Sequence, residues 1–189
     1  MIKKKRIIIG RVCARDKPLR KVGLDTDIVL IWFENQKIVP TERISLIKRG
    51  DALYINYKVF AELFGKIRER YPEKKKKDIT REIFTFMRKN NINMIKKKNM
   101  SLELLNRIKK VLEQLNKEKS KWNENPGKSD LEIIAIYYCT VDCIFSRNKK
   151  HFEEPCNFLN IHLEVPYNFA EIGSPEDVNK QLRRFRKRY

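Results

Sequence analysis

The sequence comprises 189 residues with a mass of 22.7 kDa, the size of one ordinary domain, so its core needs neither disulfides nor a structural metal. Hydrophobic residues make up 41% and charged residues 35% of the chain, which excludes a wholly disordered protein. Lys and Arg number 43 against 24 Asp and Glu, a net charge of +19, which favours nucleic acid as a partner. A membrane-surface binder or a heat-adapted protein would share this charge.

The first half of the chain alternates short strands with amphipathic helices. A strand at Val22–Leu24 leads into an acidic cluster, where Thr26 or Asp27 can cap a helix. The apolar spacing then predicts a strand at Ala52–Asn56, a helix at Tyr57–Arg70, a helix at Ile79–Lys89 capped by Asp78 and a strand at Ile92–Ile95. We expect the side chains of Trp32 and Phe33 to lie in the core.

The second half continues the alternation. Ser101 is expected to cap a helix over Leu102–Lys119, and Asp130–Tyr138 is apolar enough to be a buried helix. There follow a strand at Asp142–Ser146, a turn or short helix at Asn148–Phe152 and a strand at Phe158–Val165. Strands that alternate with helices predict an α/β protein with a parallel sheet covered on both faces.

The composition predicts three parts. Residues 1–20 form a basic N-terminal extension, 21–165 a single α/β domain with an inserted helical region at 79–121, and 166–189 a basic tail. In the tail, Ser174 and Pro175 have the form of a helix start, and an apolar stripe follows at Val178, Leu182, Phe185 and Tyr189. We expect a terminal helix that docks on the domain or on a partner subunit. Its arginines would then contact phosphates or, alternatively, only face water.

Three acids fall where a parallel α/β sheet binds its ligands, beyond the carboxyl ends of the strands. Asp25 closes the first strand, Glu62 lies on the helix after the second, and Asp130 opens the buried helix. Carboxylates brought together suit Mg²⁺ or Mn²⁺, and in a basic protein the metal would activate water against a phosphodiester. Alternatively, Asp25 and Asp130 are only turn or capping residues, and Glu62 only a solvated helix position.

Four segments, in this order, resemble the signatures of PIN-domain ribonucleases of the VapC-like branch. They are Leu24–Leu30 (LDTDIVL), Val59–Phe64 (VFAELF), Ser129–Ala135 (SDLEIIA) and Cys143–Phe152 (CIFSRNKKHF). The resemblance extends over about residues 22–165 and implies a three-layer α/β/α sandwich with a central parallel sheet. It also implies Mg²⁺- or Mn²⁺-dependent endoribonuclease activity on single-stranded or structured RNA.

The resemblance assigns roles to individual residues. It places the metal-binding acids at Asp25, Glu62 and Asp130, and a small hydroxyl residue near the metal and phosphate at Ser146. Asn148 stands where many relatives carry a fourth Asp. An amide adds no negative charge, so a second metal would be held less tightly unless Asp27 or, more weakly, Glu132 supplies that charge. His151 is predicted to be a turn residue rather than a general base.

Clusters of basic residues are candidates for RNA contact, although such runs are often only solvated surface. The candidates are Lys74, Lys75, Lys76, Lys77, Lys96, Lys97, Lys98, Arg147, Arg183, Arg184 and Arg186. VapC-like proteins commonly pair with an antitoxin and dimerise. The helices Ile79–Lys89 and Leu102–Lys119 could supply a homodimer interface, or their apolar stripes could belong to the chain's own core.

The resulting hypothesis is a metal-dependent endoribonuclease that leaves a 5′-phosphate and a 3′-hydroxyl, with the toxin of a toxin–antitoxin pair as one role that fits it. An inactive or weakly active PIN-fold scaffold that binds RNA and a processing nuclease for stable RNA are the alternatives. The apolar runs are too short for a membrane span or a secretory signal. We therefore expect a cytoplasmic protein without membrane contact.

Overall fold

The computed structural model describes residues 19–35, 46 and 49–165. Residues 1–18 and the predicted tail at 166–189, with Arg183, Arg184 and Arg186, lie outside this part of the chain. The elements in chain order are β1 (Lys21–Leu24), α1 (Thr26–Glu34), β2 (Ala52–Asn56), α2 (Tyr57–Arg70), α3 (Lys76–Lys89), β3 (Ile92–Ile95), α4 (Leu102–Glu118), α5 (Lys128–Tyr138), β4 (Cys143–Phe145), α6 (Lys149–Leu159) and β5 (His162–Glu164). Short 3₁₀ turns lie at Lys97–Asn99 and Lys119–Lys121.

The five strands form one parallel sheet in the order β3-β2-β1-β4-β5. In its register, Leu24 of β1 pairs with Phe145 of β4, and Asn56 of β2 pairs with Ile95 of β3. The carboxyl ends of all five strands therefore lie at one edge of the sheet. The chain adds β2 and β3 on one side of β1 and then β4 and β5 on the other, so the direction of strand addition reverses between β1 and β4. Open α/β sheets bind their ligands at such a point. The predicted three-layer α/β/α architecture is confirmed.

Apolar stripes on both helical layers close over the sheet. The central strands bury Val22, Leu24 and Ile144 completely, and Trp32 and Phe33 of α1 are also buried as predicted. The stripes of α3 and α4 lie in the same core. Of the two alternatives for these stripes, the structure therefore shows the one in which they pack within this chain.

Tyr137 of α5 fixes the position of β1. A side chain at Gly23 would bring its Cβ within 2.7 Å of the Tyr137 ring, so this crossing requires glycine. The Tyr137 hydroxyl donates a 2.5 Å hydrogen bond to the carbonyl oxygen of Leu24. The end of β1 is thereby held against the buried helix one residue before Asp25.

Several predicted boundaries are wrong. Asp25, rather than Thr26 or Asp27, caps α1, and α3 begins at Lys76, so Asp78 lies in its first turn instead of capping it. Asp130 is the third residue of α5 and does not open it. The strand predicted at Ile92–Ile95, inside the inserted region 79–121, is present as β3 and pairs with β2.

The largest difference lies near the end of the described chain. The predicted turn or short helix at Asn148–Phe152 is the start of α6, which runs to Leu159 with Pro155 inside it. The predicted strand at Phe158–Val165 therefore shrinks to β5. Asn160 ends α6 in the left-handed conformation, with φ of 53°, a common way to terminate a helix.

No helix in the described part of the chain is long and apolar enough to cross a membrane.

Candidate metal site and nucleic-acid interface

Asp25 lies at the carboxyl end of the central strand and is only 5% exposed. Its Oδ1 accepts a 2.6 Å hydrogen bond from the backbone N–H of Thr26, as the cap of α1. Its Oδ2 accepts a 2.6 Å hydrogen bond from the hydroxyl of Ser146, which follows β4. The two strands at the point of chain reversal therefore present one buried carboxylate.

Burial raises the pKa of Asp25 to about 7. The hydrogen bonds from Ser146 and Thr26 lower the pKa, while the charges of Asp27 and Asp130 raise it further. Desolvation disfavours the charged form of a carboxylate, and a bound cation favours it. The ionised form of Asp25 would therefore gain from a cation at this edge of the sheet.

Glu62, on the second turn of α2, connects three helices. Its Oε2 accepts a 2.7 Å hydrogen bond from the Thr26 hydroxyl of α1. Its Oε1 accepts a hydrogen bond from the Ser129 hydroxyl of α5. The two hydroxyls fix the carboxylate of Glu62 without adding a charge to it.

Asp130 faces the site from the first turn of α5. Its Oδ2 accepts a 3.0 Å hydrogen bond from the backbone N–H of Gly127 and lies 3.0 Å from Nδ1 of His151. Asp130 is thus held by the start of its own helix and by the first turn of α6. The pKa of Asp25 is raised mainly by burial, and the charge of Asp130 adds a minor contribution in the same direction.

Asn148 caps α6 at the same edge. Its backbone N–H donates a 3.0 Å hydrogen bond to the hydroxyl of Ser146, and its Oδ1 accepts a 3.4 Å hydrogen bond from the backbone N–H of His151. Its Nδ2 lies 3.2 Å from Nδ1 of His151. The amide that stands in place of a fourth carboxylate is therefore engaged with the helix start and with His151.

Two lysines of α2 form ion pairs with Asp27 and Glu132. The ammonium of Lys66 lies 2.7 Å from Oδ1 of Asp27, and Lys58 forms an ion pair with Glu132. The pKa of Lys66 is raised, because the hydrogen bond to Asp27 and the charges of the nearby acids outweigh its burial. Both carboxylates that were predicted to replace the missing fourth charge therefore already hold a lysine.

The donors at this edge have the chemistry of a divalent-metal site. Asp25, Glu62 and Asp130 offer hard carboxylate oxygens, the kind that Mg²⁺ and Mn²⁺ prefer, and the raised pKa of Asp25 reflects a buried acid that a cation would stabilise. Among the described residues, no three acidic, histidine or cysteine side chains already converge on one point. The carboxylates of Asp25, Glu62 and Asp130 fit a hard cation in type.

The predicted basic residues divide into two groups by their position on the sheet. Lys96, Lys97 and Lys98 directly follow β3 and are exposed at the carboxyl edge. Since β3 is two strands from β1, they lie about 10 Å along the sheet from Asp25. Arg147, between Ser146 and Asn148, is half-buried at the same edge.

Lys74–Lys77 lie at the other end of the helical layer. α1 and α2 run side by side away from the carboxyl edge, from the Thr26–Glu62 contact to the ion pair between Glu34 and Arg70. The lysines follow the far end of α2. Lys74 is already paired with Glu82 at 2.9 Å.

Sequence reasoning missed the residues that hold the acids. Ser129 precedes Asp130 in the chain, and its hydroxyl reaches Glu62 only because α5 packs beside α2. His151 was predicted to be a turn residue, but it contacts Asp130 across 21 residues. The one available signal was its place three residues after a capping Asn, on the first turn of a helix.

No protein-family model matches the sequence, and no curated protein matches it significantly. Fourteen chains in solved structures match the fold. What these matches show is the three-layer α/β/α fold.

One match is a crystal structure of VapBC2 from Rickettsia felis bound to a DNA fragment from its promoter, with a TM-score of 0.55, 18% identity and coverage of 77% of this chain and 98% of that one. Another is VapBC-1 from nontypeable Haemophilus influenzae, with a TM-score of 0.54, 16% identity and coverage of 77% and 97%. At these identities the likeness is one of fold. The resemblance predicted from the four sequence motifs is confirmed at that level.

Proposed function

We propose that this protein is a metal-dependent endoribonuclease that hydrolyses phosphodiester bonds in RNA. The observation that carries the proposal is Asp25, a buried carboxylate at the reversal point of the sheet, with Glu62 and Asp130 on the adjoining helices. Burial of a carboxylate disfavours its charged form, and phosphodiester hydrolysis uses carboxylates to hold a divalent ion.

Asp25, Glu62 and Asp130 would hold Mg²⁺ or Mn²⁺. The bound ion would polarise a phosphate oxygen and lower the pKa of water. Ser146 holds Asp25 through its hydroxyl and would thereby orient this carboxylate towards the ion. Thr26 and Ser129 fix the carboxylate of Glu62, so that its oxygens need little reorganisation when a cation arrives.

The net charge of +19 supports RNA as the substrate. The exposed lysines after β3 lie at the same edge as the acids and would bind the phosphates that flank the cleaved bond. Arg147 would contact phosphate beside Ser146. The lysines at 74–77 belong to the predicted RNA surface as well, but their position beyond the far end of α2 supports a weaker role.

The same proposal includes a protein partner. The two matching structures described above are VapBC complexes, and the fold they share with this chain supports an antitoxin as its partner. A homodimer is part of the proposal, with an interface other than the buried stripes of α3 and α4. Light scattering over a range of concentrations tests it, and a monomer at all concentrations would contradict it.

Cleavage of a structured RNA by the purified chain tests the function. We expect cleavage with Mn²⁺ that EDTA abolishes, and at least a hundredfold lower rate for Asp25→Asn. Asp142→Asn is a matched control, because Asp142 is exposed at the opposite end of β4. Full EDTA-sensitive activity in Asp25→Asn would overturn the assignment of the site.

An RNA-binding scaffold without nuclease activity is the second candidate. It is favoured by Asn148 in place of a carboxylate and by the lysines that neutralise Asp27 and Glu132. Salt-dependent RNA binding without cleavage in either Mg²⁺ or Mn²⁺ would support the scaffold over the nuclease.

A further inference from the structure

We propose that His151 is a positioning residue that holds Asp130 in place to receive the divalent ion. This inference rests on the proposed function and adds a role for a residue outside the four acidic positions. Asn148, which stands where many relatives carry a fourth acid, would then contribute to metal binding indirectly, by holding His151 in place.

The contact itself is direct. Nδ1 of His151 lies 3.0 Å from Oδ2 of Asp130, within the range of a charge-assisted hydrogen bond. The same oxygen accepts from the backbone N–H of Gly127. With the proton on Nδ1 of His151, Oδ2 of Asp130 accepts from two protein groups, which restrict the rotation of the carboxylate. The other tautomer, in which Nδ1 accepts from Nδ2 of Asn148 at 3.2 Å, would not hold Asp130.

The placement of His151 follows from the start of α6. Asn148 caps this helix, and its Oδ1 accepts from the backbone N–H of His151. The backbone N–H of Asn148 is in turn held by Ser146, the residue that donates to Asp25. A continuous chain of hydrogen bonds therefore runs from one proposed ligand, Asp25, to the side chain that holds another.

The burial of the pair suits this role. The side chains of His151 and Asp130 are 37% and 22% exposed, so the contact is partly shielded from water and worth more than a surface pair. Partners that orient metal ligands typically contribute 10- to 100-fold to metal affinity. A histidine that only capped a helix would leave metal affinity unchanged.

Mn²⁺ affinity of the full chain, measured by the electron paramagnetic resonance signal of free Mn²⁺, tests the inference without using activity. We expect His151→Ala to weaken Mn²⁺ binding by about 10- to 100-fold. His151→Asn, whose amide takes the place of Nδ1, should stay within about threefold of the unsubstituted chain, whereas His151→Gln, which extends further, should resemble His151→Ala. His162→Ala removes the other histidine, exposed on β5, and should change nothing.

A second comparison asks whether His151 acts through Asp130. In an Asp130→Asn background, His151→Ala should weaken Mn²⁺ binding by less than about twofold, because the group it positions is gone. If His151→Ala fails to fold, His151→Gln is compared with His151→Asn instead, once in the unsubstituted chain and once in the Asp130→Asn background.

Three outcomes would overturn the inference. Unchanged Mn²⁺ affinity in His151→Ala would show that the contact has no such role. Mn²⁺ affinity that is retained in His151→Gln but lost in His151→Asn would indicate that His151 binds the ion directly through Nε2. Failure of the unsubstituted chain to bind Mn²⁺ would overturn the proposed function as well, so the two failures are distinguishable.

Discussion

At the scale of single residues, Asp25 combines a stability cost with the proposed function. Its carboxylate is buried, and burial raises its pKa to about 7. Above that pH the folded chain must hold a desolvated charge, which a neutral side chain of the same shape would not require. Proteins commonly accept such a cost at functional sites.

Asp25→Asn should therefore stabilise the metal-free chain. One pKa unit corresponds to about 1.4 kcal/mol, so we expect the free energy of unfolding in EDTA at pH 8 to rise by roughly 2–4 kcal/mol. Asp27→Asn is the control, because Asp27 is half-exposed and paired with Lys66, and its effect should stay within about 1 kcal/mol. An Asp25→Asn variant that is less stable than the unsubstituted chain would contradict the idea that the buried charge of Asp25 destabilises the fold.

Gly23 makes a second prediction at this scale. Gly23→Ala should lower the free energy of unfolding by about 1–3 kcal/mol, because the new methyl group overlaps the Tyr137 ring. Gly65 of α2 has open space around it, so Gly65→Ala should stabilise the chain by about 0.5–1 kcal/mol. Urea titration measures both free energies of unfolding. Equal changes in Gly23→Ala and Gly65→Ala would contradict the close contact between Gly23 and the Tyr137 ring.

At the scale of elements, the two lysine clusters separate by the edge they occupy. Replacing Lys96, Lys97 and Lys98 by Ala should weaken RNA binding in EDTA and reduce the slope of log affinity against log salt by about 2. The matched variant replaces Lys75, Lys76 and Lys77, removing the same charge beyond the far end of α2. It should retain most of the affinity, and equal losses would contradict the placement of RNA at the carboxyl edge.

The elements also show which parts of the fold sequence reasoning could predict. The bounds of Ala52–Asn56, Tyr57–Arg70 and Ile92–Ile95 are confirmed without change, because their apolar periodicity and their flanking residues indicate the same element. The prediction was wrong near the end of the described residues, where the turn or short helix was expected to end at Phe152, three residues before Pro155. α6 continues past it, with Phe158 packed against Trp122 from a distant turn.

The site divides in the same way. The acids Asp25, Glu62 and Asp130 were predicted from motif order, and their roles stay predictions. The hydroxyl of Ser129 and the ring of His151 were not found, because each reaches its acid only through packing between helices. Local sequence carries no information about such contacts.

At the scale of the whole molecule, an ionic cluster ties β5 to segments distant in the chain. Glu164 accepts a 2.5 Å hydrogen bond from Arg20 and a 3.0 Å hydrogen bond from Arg49. Burial would raise the pKa of Glu164, but the bonds and charges of both arginines outweigh it and the pKa is lowered. This contribution to stability is present above the ordinary Glu pKa and is lost as the pH falls through the folded value.

Glu164→Gln should therefore lower the free energy of unfolding at pH 7 by about 1–2 kcal/mol, and the difference from the unsubstituted chain should shrink below pH 4. Glu69→Gln, at an exposed position of α2, should change stability little at either pH. A difference for Glu164→Gln that stays constant between pH 7 and pH 3 would contradict the ionic origin of the effect.

The central claim is that the acids at the carboxyl edge hydrolyse RNA with a divalent ion. The most direct measurement is the rate of cleavage of an end-labelled RNA as Mn²⁺ is removed by EDTA and then restored, with the chemistry of the product ends determined. We predict that cleavage stops when Mn²⁺ is removed, returns when Mn²⁺ is restored, and leaves 5′-phosphate and 3′-hydroxyl ends. The Glu62→Gln variant should not cleave the RNA with or without Mn²⁺. Cleavage that continues in EDTA, or that leaves 2′,3′-cyclic phosphate ends, would contradict the account.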